Sequence, residues 1–228
     1  MQNLPTAETY AKEEAYMPWG ILTKKIKKVI VDRVPQNGRV VDLLCGTGNL
    51  VGLLQKERPD VQYVGVDLEK DFIDYASKQF PAVNFTVADA FGWSSAEKFD
   101  AVLCTGGLHH LPYEKQEPFL KKISALVKPE GFALVADPYI PDYASEQERK
   151  LAAAKLGYEY LVATVNNGAP DDVVRATADL IQNDVLLSEF KTSVVKVKPK
   201  FEASFAKVEM HKTWGEDDYG DFYFVCSN

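Results

Sequence analysis

The sequence predicts an α/β chain built on a doubly wound, mostly parallel sheet, preceded by a helical arm and closed by an antiparallel hairpin after a helical insertion. Three observations carry that reading. Short β-rich apolar runs alternate with helix-period segments from about residue 39 to 137, the pattern of a parallel sheet with helices on both faces. The first run ends in a glycine turn, Cys45-Gly-Thr-Gly48, that opens a helix. After residue 139 the pattern changes to longer helical periods and then returns to two alternating runs.

The elements follow in order from spacing. Residues 1–34 form the arm: Ile21, Leu22, Ile26, Val29 and Ile30 share one helical face, and Lys24, Lys25, Lys27 and Lys28 make a solvated face opposite. Residues 35–228 form the main domain. Its strands are expected at Arg39–Leu44, Val61–Asp67, Val83–Ala88, Phe99–Cys104 and Phe132–Ala136. Leu50, Leu53 and Leu54 mark the helix after the first strand, and Phe72, Tyr75 and Phe80 the helix after the second. Phe119, Leu120, Ile123, Leu126 and Val127 mark a third helix, stopped by Lys128-Pro-Glu-Gly131. Residues 143–190 read as two or three helices broken at Asn166-Asn-Gly-Ala-Pro170. Phe205–Lys212 and Tyr219–Cys226 are the hairpin strands, joined by a turn at Gly215–Asp218.

Composition narrows the function classes. Of 228 residues, 46% are apolar and 26% charged, so the chain folds around a core. The net charge of -7 repels phosphate backbones and makes nucleic acid a disfavoured partner. Cys45, Cys104 and Cys226 contain no CxxC pair, so neither a disulfide framework nor a metal site is expected. With no apolar run long enough for a membrane span and no signal-like N-terminus, a cytoplasmic protein is expected. The oligomeric state stays open, a homodimer being one option.

The chemistry sits at the strand ends. Gly46 and Gly48 let backbone approach a ligand and take positive φ, while the helix start beyond them favours a negatively charged group. Asp67 ends the next strand, where a carboxylate can accept two hydrogen bonds from a ribose diol. A dinucleotide fingerprint needs a third small residue where Val51 stands, which argues against a pyrophosphate at this turn. Asp89 ends the third run and can read the amino edge of an adenine, with Phe91 lining its face.

At this point the ordered set DLLCGTGNL, VGVD, VADAF, DAVLCTGGLHHL and KPEGFALVADP resembles the class I S-adenosylmethionine-dependent methyltransferases, over residues 38–138. The resemblance implies a Rossmann-like, seven-stranded sheet whose last strand is antiparallel. It also implies S-adenosyl-L-methionine as cofactor, S-adenosyl-L-homocysteine as product, and methyl transfer to oxygen, nitrogen or carbon of a small-molecule acceptor. By position it places Asp42, Cys45, Gly46, Thr47 and Gly48 around the methionine part. Asp67 falls on the ribose, Leu68, Asp89 and Ala90 on the adenine, and Thr105 and Gly106 near the reactive methyl. Leu44 stands where the family often has glycine, so altered packing is expected there. His109 and His110 are the candidates for a base or acceptor-positioning group, since an imidazole titrates near neutrality. Asp137 and Tyr139 are candidates for substrate contact just beyond the fifth strand. In the arm, Tyr10, Tyr16 and Trp19 are candidates for a lid. Tyr16 is assigned to the cofactor, because Met17-Pro18 turns the arm across the site. Trp19 is assigned to the substrate side, with a hydrophobic anchor as its alternative. Two other functions stay open: use of the same cofactor without methyl transfer, and tRNA methylation.

Overall fold

The computed structural model describes residues 5–186, 189–216 and 218–228. The arm holds α1 (Ala7–Glu13) and α2 (Trp19–Arg33). Then follow β1 (Arg39–Leu43), α3 (Asn49–Glu57), β2 (Gln62–Asp67), α4 (Lys70–Gln79), β3 (Asn84–Val87) and β4 (Phe99–Thr105). A short 3-10 turn at Leu108–His110 leads to α5 (Tyr113–Leu126) and β5 (Val127–Tyr139). The chain ends with α6 (Glu146–Asn166), α7 (Asp171–Leu186), α8 (Val194–Glu202), β6 (Lys207–Trp214) and β7 (Gly220–Ser227).

The strands form one seven-stranded sheet in the order β3-β2-β1-β4-β5-β7-β6. β1 to β5 pair in parallel, and β7 lies antiparallel to both β5 and β6. Strand order reverses between β1 and β4, so a crevice opens beyond their carboxyl ends. One sheet face packs α2 and α3, through Leu22, Ile26, Ile30, Leu50, Val51 and Leu54. The other packs α5 and α8, through Phe119, Leu120, Ile123, Val197 and Phe201. A smaller cluster, including Met17, Ile140, Ala153, Leu156 and Tyr219, joins the arm to the insertion.

Two expectations shift. Lys128-Pro-Glu-Gly131 does not act as a helix stop followed by a separate strand: α5 ends at Leu126 and β5 begins at once. Val127 pairs with Phe99 and Phe132 with Ala101, so the Pro-Gly segment is taken up as an irregularity inside the strand. The segment after residue 190, to which spacing assigns no element, forms α8, capped by the Ser193 hydroxyl accepting from the Lys196 N–H. Its Phe201 ring stacks on Phe224 with centroids 4.0 Å apart. Among the described residues no helix is long and apolar enough to cross a membrane.

Phe201 is fully buried, so Phe201→Ala removes both transfer energy and packing. Urea denaturation is expected to show a loss of about 3–5 kcal/mol. Leu151→Ala, on a residue 66% exposed, is expected to change stability by less than about 0.5 kcal/mol.

Candidate active site

β1 runs into the turn Leu44-Cys-Gly-Thr-Gly48, in which Gly46 and Gly48 hold φ of 53° and 70°. A side chain on Gly48 would also meet the Phe85 ring at 2.6 Å. Leu44 adopts φ 61°, a region that costs a side-chain-bearing residue roughly 1–2 kcal/mol. It is accommodated because Gly107 lies against it: a Cβ there would stand 2.9 Å from Leu44 Cβ.

Above this turn lies a cavity of about 1290 Å³, the solvent at its mouth included. Its walls come from the turn, the arm, the end of β4, the 3-10 turn and the paired helices α6 and α7. Cys45, Thr47, Thr105, Gly106 and Trp19 line it. Trp19 lies over Gly106, whose added Cβ would sit 3.3 Å from the indole.

One end of the cavity is acidic and unpaired. Glu13 is 9% exposed, and its carboxylate has no hydrogen bond or ion pair among the described residues. Asp42 is 1% exposed and its Oδ1 has no partner. Burial pushes the Glu13 carboxyl up to about 8; burial and the nearby Asp67 charge do the same to Asp42. The Tyr10 ring stands between these groups and Gly46, 5.1 Å from the Phe72 ring. Glu14 accepts a hydrogen bond from Asn49 Nδ2, tying the arm to the start of α3.

A second group of residues forms a connected network. Asp137 accepts the His109 backbone N–H through Oδ2 at 2.9 Å and pairs with His109 Nδ1 through Oδ1 at 2.7 Å. His110 Nδ1 lies 2.7 Å from Glu189 Oε2, and His109 Nε2 lies 3.7 Å from the same oxygen. Lys191 Nζ pairs with Asp184 Oδ1 at 2.5 Å. Burial pushes the His109 imidazole well below its usual value and Asp137 up to about 7. Burial would raise Glu189, but the His110 hydrogen bond and the neighbouring positive groups outweigh it and bring it down to about 2.

A third group lies outside the cavity wall, at the tip of β2, where Asp67 is 8% exposed, and in the loop after β3. Asp67 accepts the Gly46 N–H at 2.8 Å and the Glu69 N–H at 2.9 Å. A carboxylate has about four lone-pair sites, which leaves acceptor capacity for a diol. Leu68 is 62% exposed and Phe91 37%. Asp89 is exposed and accepts the Phe91 N–H at 2.9 Å, while Ala90 is buried beside it.

Three sequence assignments are placed elsewhere. Tyr16 is off the cavity wall: α1 and the turn after it present Tyr10, Glu13, Glu14 and Met17, at helical spacing, to the cavity. Tyr16 offers its carbonyl to Asn167 Nδ2 at 2.6 Å. Tyr139 is 1% exposed in the core, with its ring against Phe222 and Phe224. Side chains alternate along a strand, so Pro138 faces the cavity and Tyr139 points to the opposite face. Asp137 stands behind His109 instead of on the wall. Spacing missed Glu13 and Glu189. The i, i+3, i+4, i+7 face of residues 10–17 carried a signal for the first. Glu189, 79 positions from His110, carried none.

A positively charged centre fits the unpartnered Glu13 and Asp42, and a diol fits the free acceptor sites of Asp67; S-adenosyl-L-methionine has both. Residues 40–131 match a family model described as a methyltransferase domain. A trans-aconitate 2-methyltransferase of Escherichia coli is 32% identical over 99 residues, 43% of this chain and 38% of that protein. The chain spans less than half the length of the curated relatives it matches first. A TehB-like SAM-dependent methyltransferase from Corynebacterium glutamicum superposes with a TM-score of 0.53 at 18% identity, over 88% of this chain and 85% of that one. The plantazolicin methyltransferase BpumL, solved with SAH, superposes with a TM-score of 0.60 at 11% identity, over 98% and 85%. These two likenesses establish a shared fold.

The raised Glu13 carboxyl has a sign that can be measured. The folded chain holds this proton more tightly than the unfolded chain, so stability is greatest at low pH. It is lost as pH rises from the ordinary carboxyl range through about 8. Glu13→Gln removes that loss. Denaturant titrations are expected to show the variant gaining about 1–3 kcal/mol at alkaline pH, with a shallower pH slope than the parent.

Proposed function

We propose, from the match of residues 40–131 to a methyltransferase-domain family model, that this chain is a class I S-adenosylmethionine-dependent methyltransferase that transfers a methyl group to a small-molecule acceptor by in-line displacement. The observation that carries the reading is the cavity itself. It joins the glycine turn and two unpartnered carboxylates at one end to the His109, His110 and Glu189 side chains at the other. When bound, S-adenosyl-L-methionine supplies the sulfonium methyl and leaves as S-adenosyl-L-homocysteine.

The chain's own residues bind, orient and exclude water. Asp67 holds the ribose diol, Leu68 and Phe91 offer exposed apolar surface to the adenine, and Asp89 and Ala90 meet its edge. Glu13 and Asp42 face the positively charged methionine end, where low dielectric strengthens their attraction. Thr105 and Gly106, at the tip of β4, line the cavity. His109 and His110 face the acceptor, with Asp137 fixing His109 through one hydrogen bond to the ring and one to the backbone N–H. Trp19 and the α6–α7 pair wall off the acceptor. Such confinement converts a bimolecular encounter into an oriented one, provided the reacting atoms are held ~3–3.5 Å apart.

A small acceptor is supported by the closed wall of α1, α6 and α7 over the polar end. It is also supported by the net charge of -7, which repels phosphate backbones. A reducing, cytoplasmic setting agrees with the three free thiols.

Isothermal titration tests the reading. The parent chain is expected to bind S-adenosyl-L-homocysteine at one site. Asp67→Asn is expected to weaken binding at least tenfold, about 1.4 kcal/mol, with the circular dichroism spectrum unchanged. Incubation with S-adenosyl-L-methionine and an acceptor panel is expected to yield S-adenosyl-L-homocysteine. No binding by the parent chain would sink the proposal, and turnover without that product would replace methyl transfer by another use of the cofactor.

A further inference from the structure

The His109, His110 and Glu189 cluster leaves one imidazole nitrogen on the cavity wall without a hydrogen-bond partner among the described residues. His109 Nδ1 is committed to Asp137 at 2.7 Å. A neutral imidazole that donates through Nδ1 carries a bare lone pair on Nε2. That lone pair faces Glu189 Oε2 across 3.7 Å, too far for a hydrogen bond, and no proton donor stands between them among the described residues. His110 Nδ1 points at the same oxygen from 2.7 Å. The two imidazoles are close, with centroids 4.1 Å apart. One ligand atom from each of the three residues can be chosen so that all lie within 4.8 Å of one another.

We infer that His109 Nε2, His110 Nδ1 and the Glu189 carboxylate form a binding site for a divalent transition-metal ion at the acceptor end of the cavity. Ligands bound at ~2.0–2.2 Å to one ion stand roughly 3 Å apart at right angles and about 3.4 Å apart at tetrahedral angles. The 2.7 and 3.7 Å separations bracket those spacings. Two imidazoles and one carboxylate suit first-row ions such as zinc, manganese, iron or cobalt. Asp137 stands where an outer carboxylate orients a ligating imidazole.

The third ligand is held in place before any ion arrives. The Phe190 N–H donates to the His109 carbonyl at 2.7 Å, and the Tyr113 hydroxyl donates to the Lys191 carbonyl at 3.0 Å. Gln116 Nε2 donates to the Phe190 carbonyl at 3.3 Å. These bonds clamp the segment carrying Glu189 against the 3-10 turn carrying both histidines. Lys191, whose charge reaches Glu189, is itself ion-paired with Asp184 at 2.5 Å. All three ligands line the cavity, so the remaining coordination positions face the acceptor. Resting on the methyl-transfer reading of this cavity, the acceptor class follows: a molecule with a hydroxyl beside a second oxygen, able to chelate the ion through both.

Cobalt is the probe. Tag-free full-length chain, stripped with a chelator and titrated with Co²⁺ alone, is expected to take up one equivalent and develop visible d–d absorption. Glu189→Gln and His110→Ala are expected to weaken uptake at least tenfold. Asp137→Asn, acting through His109, is expected to weaken it by about 10–100-fold, with each fold checked by circular dichroism. Should the histidine variant misfold, paramagnetic resonance of the Cu²⁺-loaded parent chain reads the same point: hyperfine splitting from two ligating nitrogens is expected. No uptake by the parent, uptake unchanged in all variants, or a copper signal without nitrogen splitting overturns the site. Titration of the stripped chain with S-adenosyl-L-homocysteine separates this inference from the methyl-transfer reading. Binding without cobalt uptake removes the metal and leaves methyl transfer; cobalt uptake without that binding does the reverse and removes the acceptor class with it.

Discussion

The reversal of strand order between β1 and β4 is the constraint on which the rest depends. A parallel sheet directs all its carboxyl ends to one edge, and at the reversal the connections leave in opposite directions, so no helix covers the gap. The backbone there must turn sharply, and it does so through Leu44, Gly46 and Gly48 at positive φ. Polar residues collect at this edge because it borders the crevice rather than a covering helix. Asp42, Asp67, Thr105 and Asp137 all lie at or near the carboxyl ends of their strands, on four different strands.

What distinguishes the two ends of the cavity is how their charges are compensated. Beside the arm, Glu13 and Asp42 are buried, and among the described residues the Glu13 carboxylate has no hydrogen bond and Asp42 Oδ1 has no partner. Burying an isolated carboxylate is costly, and both respond by holding their protons to about 8. A positively charged ligand relieves that cost directly. At the other end, Asp137, Glu189 and Asp184 each have a partner within 2.7 Å. The protein therefore stores unmet electrostatic demand where a cation-bearing cofactor is proposed to lie, and rigid geometry where an acceptor is proposed to react. Both features need the arm and the insertion, since neither Glu13 nor Glu189 belongs to the matched domain of residues 40–131.

The arm and the insertion close over the sheet and hold each other. Thr9 and Lys12 on α1 reach Asp172 on α7, and Asn167 at the end of α6 bonds the Tyr16 carbonyl. Both ion-pair partners are substantially exposed, so these surface links are weak. The apolar contacts of Met17 with the insertion cluster carry more of the docking.

Local pattern was enough for the sheet. Alternating apolar runs located the strands, and the glycine turn, Asp67 and Asp89 were legible because each ends a recognisable run. Leu44 was legible as an irregular residue in that turn, and the left-handed backbone shows why it stood out. The side on which a residue falls was harder to read. Asp137, Pro138 and Tyr139 are consecutive, and only the register of β5 against β4 and β7 sends Pro138 into the cavity and Tyr139 into the core. Pairing across the chain was not legible at all. The contact of His110 with Glu189, and the placement of Glu13 beside Asp42, arise where the arm and the insertion fold back onto the sheet. The sequence by itself determined the layered architecture and the strand-tip residues, because those follow from periodicities of a few positions. The tertiary structure alone decided which distant carboxylates meet which imidazoles, because that depends on packing between segments that share no local pattern.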